Sequence, residues 1–484
     1  MIVTVRLLFK LLTTSPLLMA APLALAADLP ASVLRELRAV GVPPTHVHVV
    51  VQGLGARTPK LAVNAAAPVN PASVMKLVTT YAALELLGPA YRWKTEVYAD
   101  GADIVLRGYG DPKLTHEGFW LLLRAVRNRG VRDIAGDVVL DRSWFGPVPD
   151  GRIDNDTFRP YNVTPDSLLV NFRSLRFSFL PEPSGVKVLA EPVLPGLEIH
   201  NALRLAGGAC PEGRAFRDLI GASFQARPPR AAFTGAYPVD CGERDLNVAL
   251  HNPEDYAAGM IRQLWGELGG TLRGTVREGQ TPPGARLLYR HESAPLAEIV
   301  RDINKFSNNV MARQLYLTLA AELGGAPARP EHAAHAVREW LERKRIPAAG
   351  FVIDNGSGLS RIERASAATL AALLQAAWHS AAMPEFMASL PVAATDGTMR
   401  KRLLDRGVAG RAHIKTGLLH DVRAIAGYVL DRHGERHAVV AIVNHPRAPE
   451  SQAALDALLD WTFEGATGRA ATRGRPPAGA PRHP

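Results

Sequence analysis

Cysteine is almost missing from this chain of 484 residues: Cys210 and Cys241 are the only two. There is no H-E-x-x-H, and neither cysteine sits beside a histidine or the other cysteine, which speaks against zinc and dithiol chemistry. His46 and His48 alternate along one predicted strand and share a face, but no third ligand accompanies them. Beyond the N-terminus, no apolar run is long enough to cross a bilayer. Internal repeats and nucleic-acid recognition modules are also lacking. The G-x-S-x-G nucleophile elbow is missed, because Asn355-Gly356-Ser357-Gly358 has the wrong glycine spacing. Asp354, just before it, belongs to a turn rather than to an acid catalyst.

What is present fits a globular protein. Hydrophobic residues make up 47% and charged residues 21%, enough for a sizeable core, and the length calls for two or three domains. Arg6 and Lys10, an apolar stretch over 11–25 and Ala24-Leu25-Ala26 predict a cleaved secretory signal over 1–26, hence a periplasmic protein. Pro16 and Pro22 interrupt the apolar stretch, which is short for a retained membrane span. In an oxidising compartment, an even pair of cysteines predicts one Cys210–Cys241 disulfide.

Loss of Arg6 and Lys10 takes the formal charge from +10 to +8, and Arg469, Arg473, Arg475 and Arg482 lie in an acid-free tail. That tail, 465–484, is rich in Gly, Pro and Ala and is expected to be disordered. A basic surface favours a peripheral association with an anionic wall or membrane surface, while export and the lack of a recognition module make nucleic acid the weaker reading.

Three short signatures follow one another: Ser73-Val74-Met75-Lys76, Ser307-Asn308-Asn309 and Lys415-Thr416-Gly417. Each alone is weak, and the ordered triple is not. Around the first, Val74 to Leu87 has a helical apolar pattern closed by Gly88-Pro89, so serine and lysine fall one turn apart on one face. A serine hydroxyl is a poor nucleophile until a neighbour takes its proton. Lys76 can do this if its pKa is lowered, by burial or by a cation such as Lys415. Ser307 and Asn309 precede a predicted helix, where they can relay a proton or hold a substrate. Lys415 and Thr416 on a predicted strand suit a carboxylate, and Gly417 would let a ligand backbone approach. Each has a plainer role as well: helix caps for Ser73, Ser307 and Asn309, and an edge-strand lysine for Lys415.

Roughly 230 residues separate the first two signatures, which requires an insertion of domain size rather than a loop. Strands are predicted over 47–52, 412–415, 424–430 and 437–443, and helices over 296–303, 310–323 and 450–463. The division is a signal at 1–26, a split α/β domain over 27–90 and 290–464, and an inserted, β-rich region over 91–289.

The triple, together with Asn70-Pro71-Ala72, Gly108-Tyr109-Gly110-Asp111-Pro112, Gly136-Asp137, Tyr161-Asn162-Val163-Thr164-Pro165, Asp354-Asn355-Gly356-Ser357-Gly358-Leu359-Ser360-Arg361 and Thr395-Asp396-Gly397-Thr398, resembles one family over most of the chain. It is the D-alanyl-D-alanine carboxypeptidase/endopeptidase family of class C penicillin-binding proteins, of the penicillin-binding protein 4 type. The resemblance implies a penicillin-recognising transpeptidase-like domain, with an antiparallel sheet and helices on both faces, interrupted by two domains. It implies Ser73 as nucleophile, Lys76 as base, Ser307 and Asn309 as proton shuttle and peptide holder, and Lys415 with Thr416 as carboxylate site. Backbone N–H groups of Ser73 and Leu418 would form the oxyanion hole. Asp154, or its rival Asp156, and Arg361 would read a diaminopimelate side chain. Peptidoglycan peptides are the implied substrates, β-lactams the covalent inhibitors, and no cofactor is called for.

The chain departs from the family in Leu418-Leu419, where a hydroxyl residue usually follows K-T-G, and in a shortened hairpin over 100–107. Two other functions were weighed. A β-lactamase would need a deacylating acid that has no counterpart here, and a non-catalytic wall-binding protein is favoured only by Leu418 and the tail.

Overall fold

The computed structural model describes residues 28–149 and 158–465. The expected signal, nearly all of the tail, and both Asp154 and Asp156 lie outside the described residues.

One antiparallel sheet of five strands runs in the order Ala412–Leu419, Val422–Leu430, Arg436–Asn444, Val47–Gly53, Leu61–Val63. Its central strands are apolar without a break because both faces are covered. Val47, Val49, Val51, Val439, Ala441 and Val443 pack under the helices Ala31–Ala39 and Gln452–Phe463. Val50, Val440 and Ile442, pointing the other way, pack under a larger helical layer. Two helices of that layer, Lys76–Leu86 and Asn309–Gly324, are buried on nearly all sides. Helices apolar all round belong in a core, and here they carry the first two signatures into it.

The region after residue 91 builds its own sheets. A five-stranded sheet is ordered Val276–Gly279, Val138–Asp141, Asp103–Gly108, Lys94–Asp100, Arg286–Glu292. Between its second and last parts lie two three-stranded sheets, one of Ser223–Gln225, Arg230–Pro238 and Glu198–Ala206, the other of Arg244–Val248, Leu175–Glu182 and Gly185–Glu191. Phe177, Phe179, Phe216, Phe233 and Tyr237 fill the space between them with edge-on and stacked ring contacts. Cys210 and Cys241 are disulfide-bonded in this part.

The boundary expected at 289/290 needs correction. Strand Arg286–Glu292 pairs with Lys94–Asp100 along its length, with one register shift between Leu287 and Tyr289, so it belongs to the inserted sheet through Glu292. This half-exposed strand carries no turn residue or composition change to mark its end.

Candidate active site

Ser73 lies in the 3₁₀ turn Ala72–Met75, and the α-helix begins only at Lys76. The helix expected from Val74 thus starts later, and Ser73 stands on a tighter turn with Ala72 at φ +47° before it. Lys76 is fully buried. Its Nζ donates to Ser73 Oγ (2.9 Å), to Asn309 Oδ1 (2.5 Å) and to the Ser357 carbonyl oxygen. Burial, then the charge of Lys415, pushes its pKa well below the ordinary lysine value, against an opposing pull from Glu363.

Ser307 joins helices Leu296–Phe306 and Asn309–Gly324 in the left-handed conformation, φ +55° and ψ 36°. Its Oγ accepts from Lys415 Nζ at 2.8 Å, and the same ammonium donates to the Thr416 carbonyl at 2.7 Å. The capping role open to Ser307 and Asn309 belongs instead to Asn308, whose Oδ1 accepts from the Met311 N–H. The side chains on either side are left to meet lysines. Lys415 is fully buried, and burial pushes its pKa down to about 7.

Gly417 packs against the Ser73 turn. A Cβ there would come 2.9 Å from the Pro71 carbonyl oxygen and 3.2 Å from Ser73 N. The bare backbone admits the chain's own Ser73 turn against the strand. Leu418 beside it is 56% exposed, and Arg361 is half-exposed, 3.6 Å from Asp421.

Several participants escaped the sequence. The segment around Asn355-Gly356-Ser357-Gly358, taken there as a mere turn, supplies the Ser357 carbonyl to Lys76. Glu363, fully buried, holds that segment: its Oε1 accepts the N–H groups of Asp354 (3.3 Å), Asn355 (3.1 Å) and Gly356 (2.9 Å). Burial raises the Glu363 pKa to about 7. Lys305 is buried and reaches Asp396 at 2.6 Å and the Leu390 carbonyl at 2.6 Å, and Thr398 accepts from the Thr416 hydroxyl at 2.8 Å. Asp396 was quoted only as part of a motif, and nothing local to Lys305 or Glu363 signals a partner far along the chain.

Beside Ser307 and Asn309 opens a cleft of about 1140 Å³, walled on its other side by Trp120, Tyr161, Phe172 and Arg176 of the inserted region. Its size suits an extended peptide. Among the described residues no cluster of three or more His, Cys, Asp or Glu could hold a metal ion, and His48 is bonded to the Asn64 carbonyl instead.

Residues 37–462 match the model of the D-Ala-D-Ala carboxypeptidase 3 (S13) family. The chain belongs to this family. Membership in S13, a family of serine peptidases, bears out the resemblance read from the motifs. Among S13 relatives, a D-alanyl-D-alanine carboxypeptidase of Actinomadura sp. (strain R39) is 31% identical over 417 residues, covering 80% of this chain and 76% of that one. The D-alanyl-D-alanine carboxypeptidase DacB of Haemophilus influenzae is 25% identical over 388 residues, covering 77% and 80%. The fold matches a crystal structure of penicillin-binding protein 4 (dacB) from Haemophilus influenzae with a TM-score of 0.73 at 23% identity, over 89% of this chain and 99% of that one. That protein has also been solved with a β-lactam, matching at 0.71 and 22% identity over 89% and 99%. The fold is therefore the penicillin-recognising α/β type with additional β-rich domains.

Proposed function

We propose that this S13 enzyme is a secreted, penicillin-binding serine DD-peptidase. It removes the terminal D-alanine of peptidoglycan peptides, and opens D-alanyl cross-links, through an acyl-enzyme on Ser73. The observation that carries this is the placement of Lys76. A neutral amine has two N–H bonds and one lone pair. Once Lys76 has lost the proton it directs at Ser73 Oγ, the N–H bonds to Asn309 Oδ1 and the Ser357 carbonyl remain and the lone pair faces the Ser73 hydroxyl.

Ser73 Oγ adds to the penultimate D-alanyl carbonyl as its proton passes to Lys76. Backbone N–H groups of Ser73 and Leu418 receive the oxyanion. The departing D-alanine amine takes a proton relayed through Ser307, and water then cleaves the ester with Lys76 again as base. Lys415 and Thr416 bind the terminal carboxylate. Asp154 and Arg361 are assigned to the substrate's diaminopimelate end, and the basic tail to peripheral contact with wall or membrane. A decayed, non-catalytic site is disfavoured by the intact Ser73–Lys76–Asn309 contacts.

The test is intact mass against time after benzylpenicillin, with Ser73→Ala in parallel. A slowly decaying adduct confined to the unaltered protein is expected, with D-alanine released from pentapeptides by the same protein. An adduct that turns over in seconds would mean a β-lactamase, and no adduct on folded protein would mean a wall-binding protein.

A further inference from the structure

Leu418 leaves the carboxylate subsite one hydroxyl short, and the structure offers another in its place. Thr398 stands on the 3₁₀ turn Gly397–Met399 and is exposed. Its Oγ1 accepts the Thr416 hydroxyl proton at 2.8 Å. A threonine hydroxyl has one proton and two lone pairs, so with the Thr416 proton spent on it, Thr398 keeps its own proton free for an anion lying beside the pair.

The turn that carries it is fixed from behind. Asp396 accepts from Lys305 Nζ through both oxygens, at 2.9 and 2.6 Å, and from the Val392 N–H at 2.8 Å. Burial alone would raise the Asp396 pKa, but these bonds and the charges of Lys305 and Arg301 hold it below the usual carboxylate range, keeping the carboxyl ionised. Gly397, at φ +54°, lies where a Cβ would come 2.6 Å from the Lys305 carbonyl oxygen. Lys305 is two residues before Ser307. One strut therefore sets both the Ser307 turn and the Thr398 hydroxyl against the strand that bears Lys415 and Thr416.

We infer that Thr398 is a specificity-determining residue: its hydroxyl donates to the free terminal carboxylate of the substrate and supplies the contact that Leu418 cannot. This rests on the DD-peptidase function proposed above and on the substrate carboxylate lying where Lys415 and Thr416 end the strand, with the Thr416 hydroxyl orienting Thr398. It concerns recognition of the anion alone, since Thr398 touches none of the atoms that react.

The test compares a peptide ending in D-alanyl-D-alanine, as free acid and as C-terminal amide, with release of D-alanine or D-alaninamide followed by mass spectrometry. Thr398→Val keeps the shape and removes the hydroxyl. It is expected to raise KM for the free acid roughly tenfold to a hundredfold, as loss of a bond to a charged group does. The kcat, and both constants for the amide, should stay within about twofold, because that bond is not part of the chemistry. Thr398→Ser should restore the free-acid KM. A structural role would instead depress both substrates together and lower the melting temperature. The inference is overturned if Thr398→Val keeps the acid-over-amide preference while Thr416→Val loses it, and the DD-peptidase function survives that result. If neither variant changes the preference, the carboxylate subsite fails and this assignment fails with it. If the unaltered protein releases D-alanine from neither peptide, the function itself is wrong.

Discussion

Gly358 lies directly over the turn that presents Ser73: a methyl group on it would run into the Ala72 carbonyl and come 2.6 Å from Ser73 N. The same glycine has φ +80°, a region that L side chains rarely adopt. Two segments almost 300 residues apart are thus packed backbone to backbone at the proposed nucleophile. Gly358→Ala should cost about 2 kcal/mol or more and displace the 3₁₀ turn. A lower melting temperature together with near-complete loss of the penicillin adduct is expected. A variant that acylates normally would show that this contact has no part in holding Ser73.

Lys76→Met fills the same space without a base. The acylation rate should fall roughly 10²- to 10⁴-fold, the usual contribution of a general base, while the melting temperature holds or rises because a buried amine has been removed. Stopped mass spectrometry with benzylpenicillin reads the rate. A loss under fivefold would mean that another group takes the Ser73 proton.

The two lysines set opposite limbs of a pH profile. Lys76 works as the neutral amine, so kcat/KM should rise with pH as it loses its proton, well below the ordinary lysine range. Lys415 works as the cation, and its pKa in the free protein is about 7. For a peptide with a free carboxylate, kcat/KM should therefore fall again above about pH 7. The amide of the same peptide should lack the descending limb. Identical profiles for the two substrates would take Lys415 out of carboxylate binding.

Glu363 gives a stability signature. Its folded pKa, raised by burial to about 7, lies above the value of 4.5 for a free glutamate. Below about 4.5 it is protonated in both states and costs nothing. Between about 4.5 and 7 the unfolded chain ionises first, so stability contributed by this group is lost as pH rises. Glu363→Gln should flatten that slope in urea titrations across the window. An unchanged slope would show that Glu363 ionises normally.

The Cys210–Cys241 bridge closes a loop of sequence separation 31 in the inserted region, away from the Ser73 turn. Replacing both cysteines with serine should destabilise that region by about 2–4 kcal/mol. Limited proteolysis should cut there first, with the rate of penicillin acylation unchanged at temperatures where the chain stays folded. Lost acylation in a folded variant would tie the bridge to the site.

Much of this was legible along the chain. Strand Val47–Gly53 and the helices carrying the second signature follow from unbroken or periodic apolar patterns, because burial is a property of each short segment. The three signatures are likewise local: serine and lysine three residues apart need only one turn to meet. The long gap between signatures required an insertion, and the nested sheets fill it.

What local sequence could not decide is who meets whom across the fold. That Asn308 caps a helix while Ser307 and Asn309 turn to Lys415 and Lys76 depends on which neighbour each hydroxyl and amide finds at 2.5 to 3.0 Å. The same holds for the Ser357 carbonyl on Lys76, for Glu363 gathering three backbone N–H groups, and for Lys305 reaching Asp396 to set Thr398 beside Thr416. Sequence alone singled out the proposed nucleophile and candidate base, which rest on residue type and short spacing, and its family resemblance implied the class of fold. Tertiary structure decided the burial of the two lysines, which lowers both pKa values, and which side chains surround the proposed carboxylate subsite. Desolvation and hydrogen bonding act over a few ångströms of space, whatever the distance along the chain.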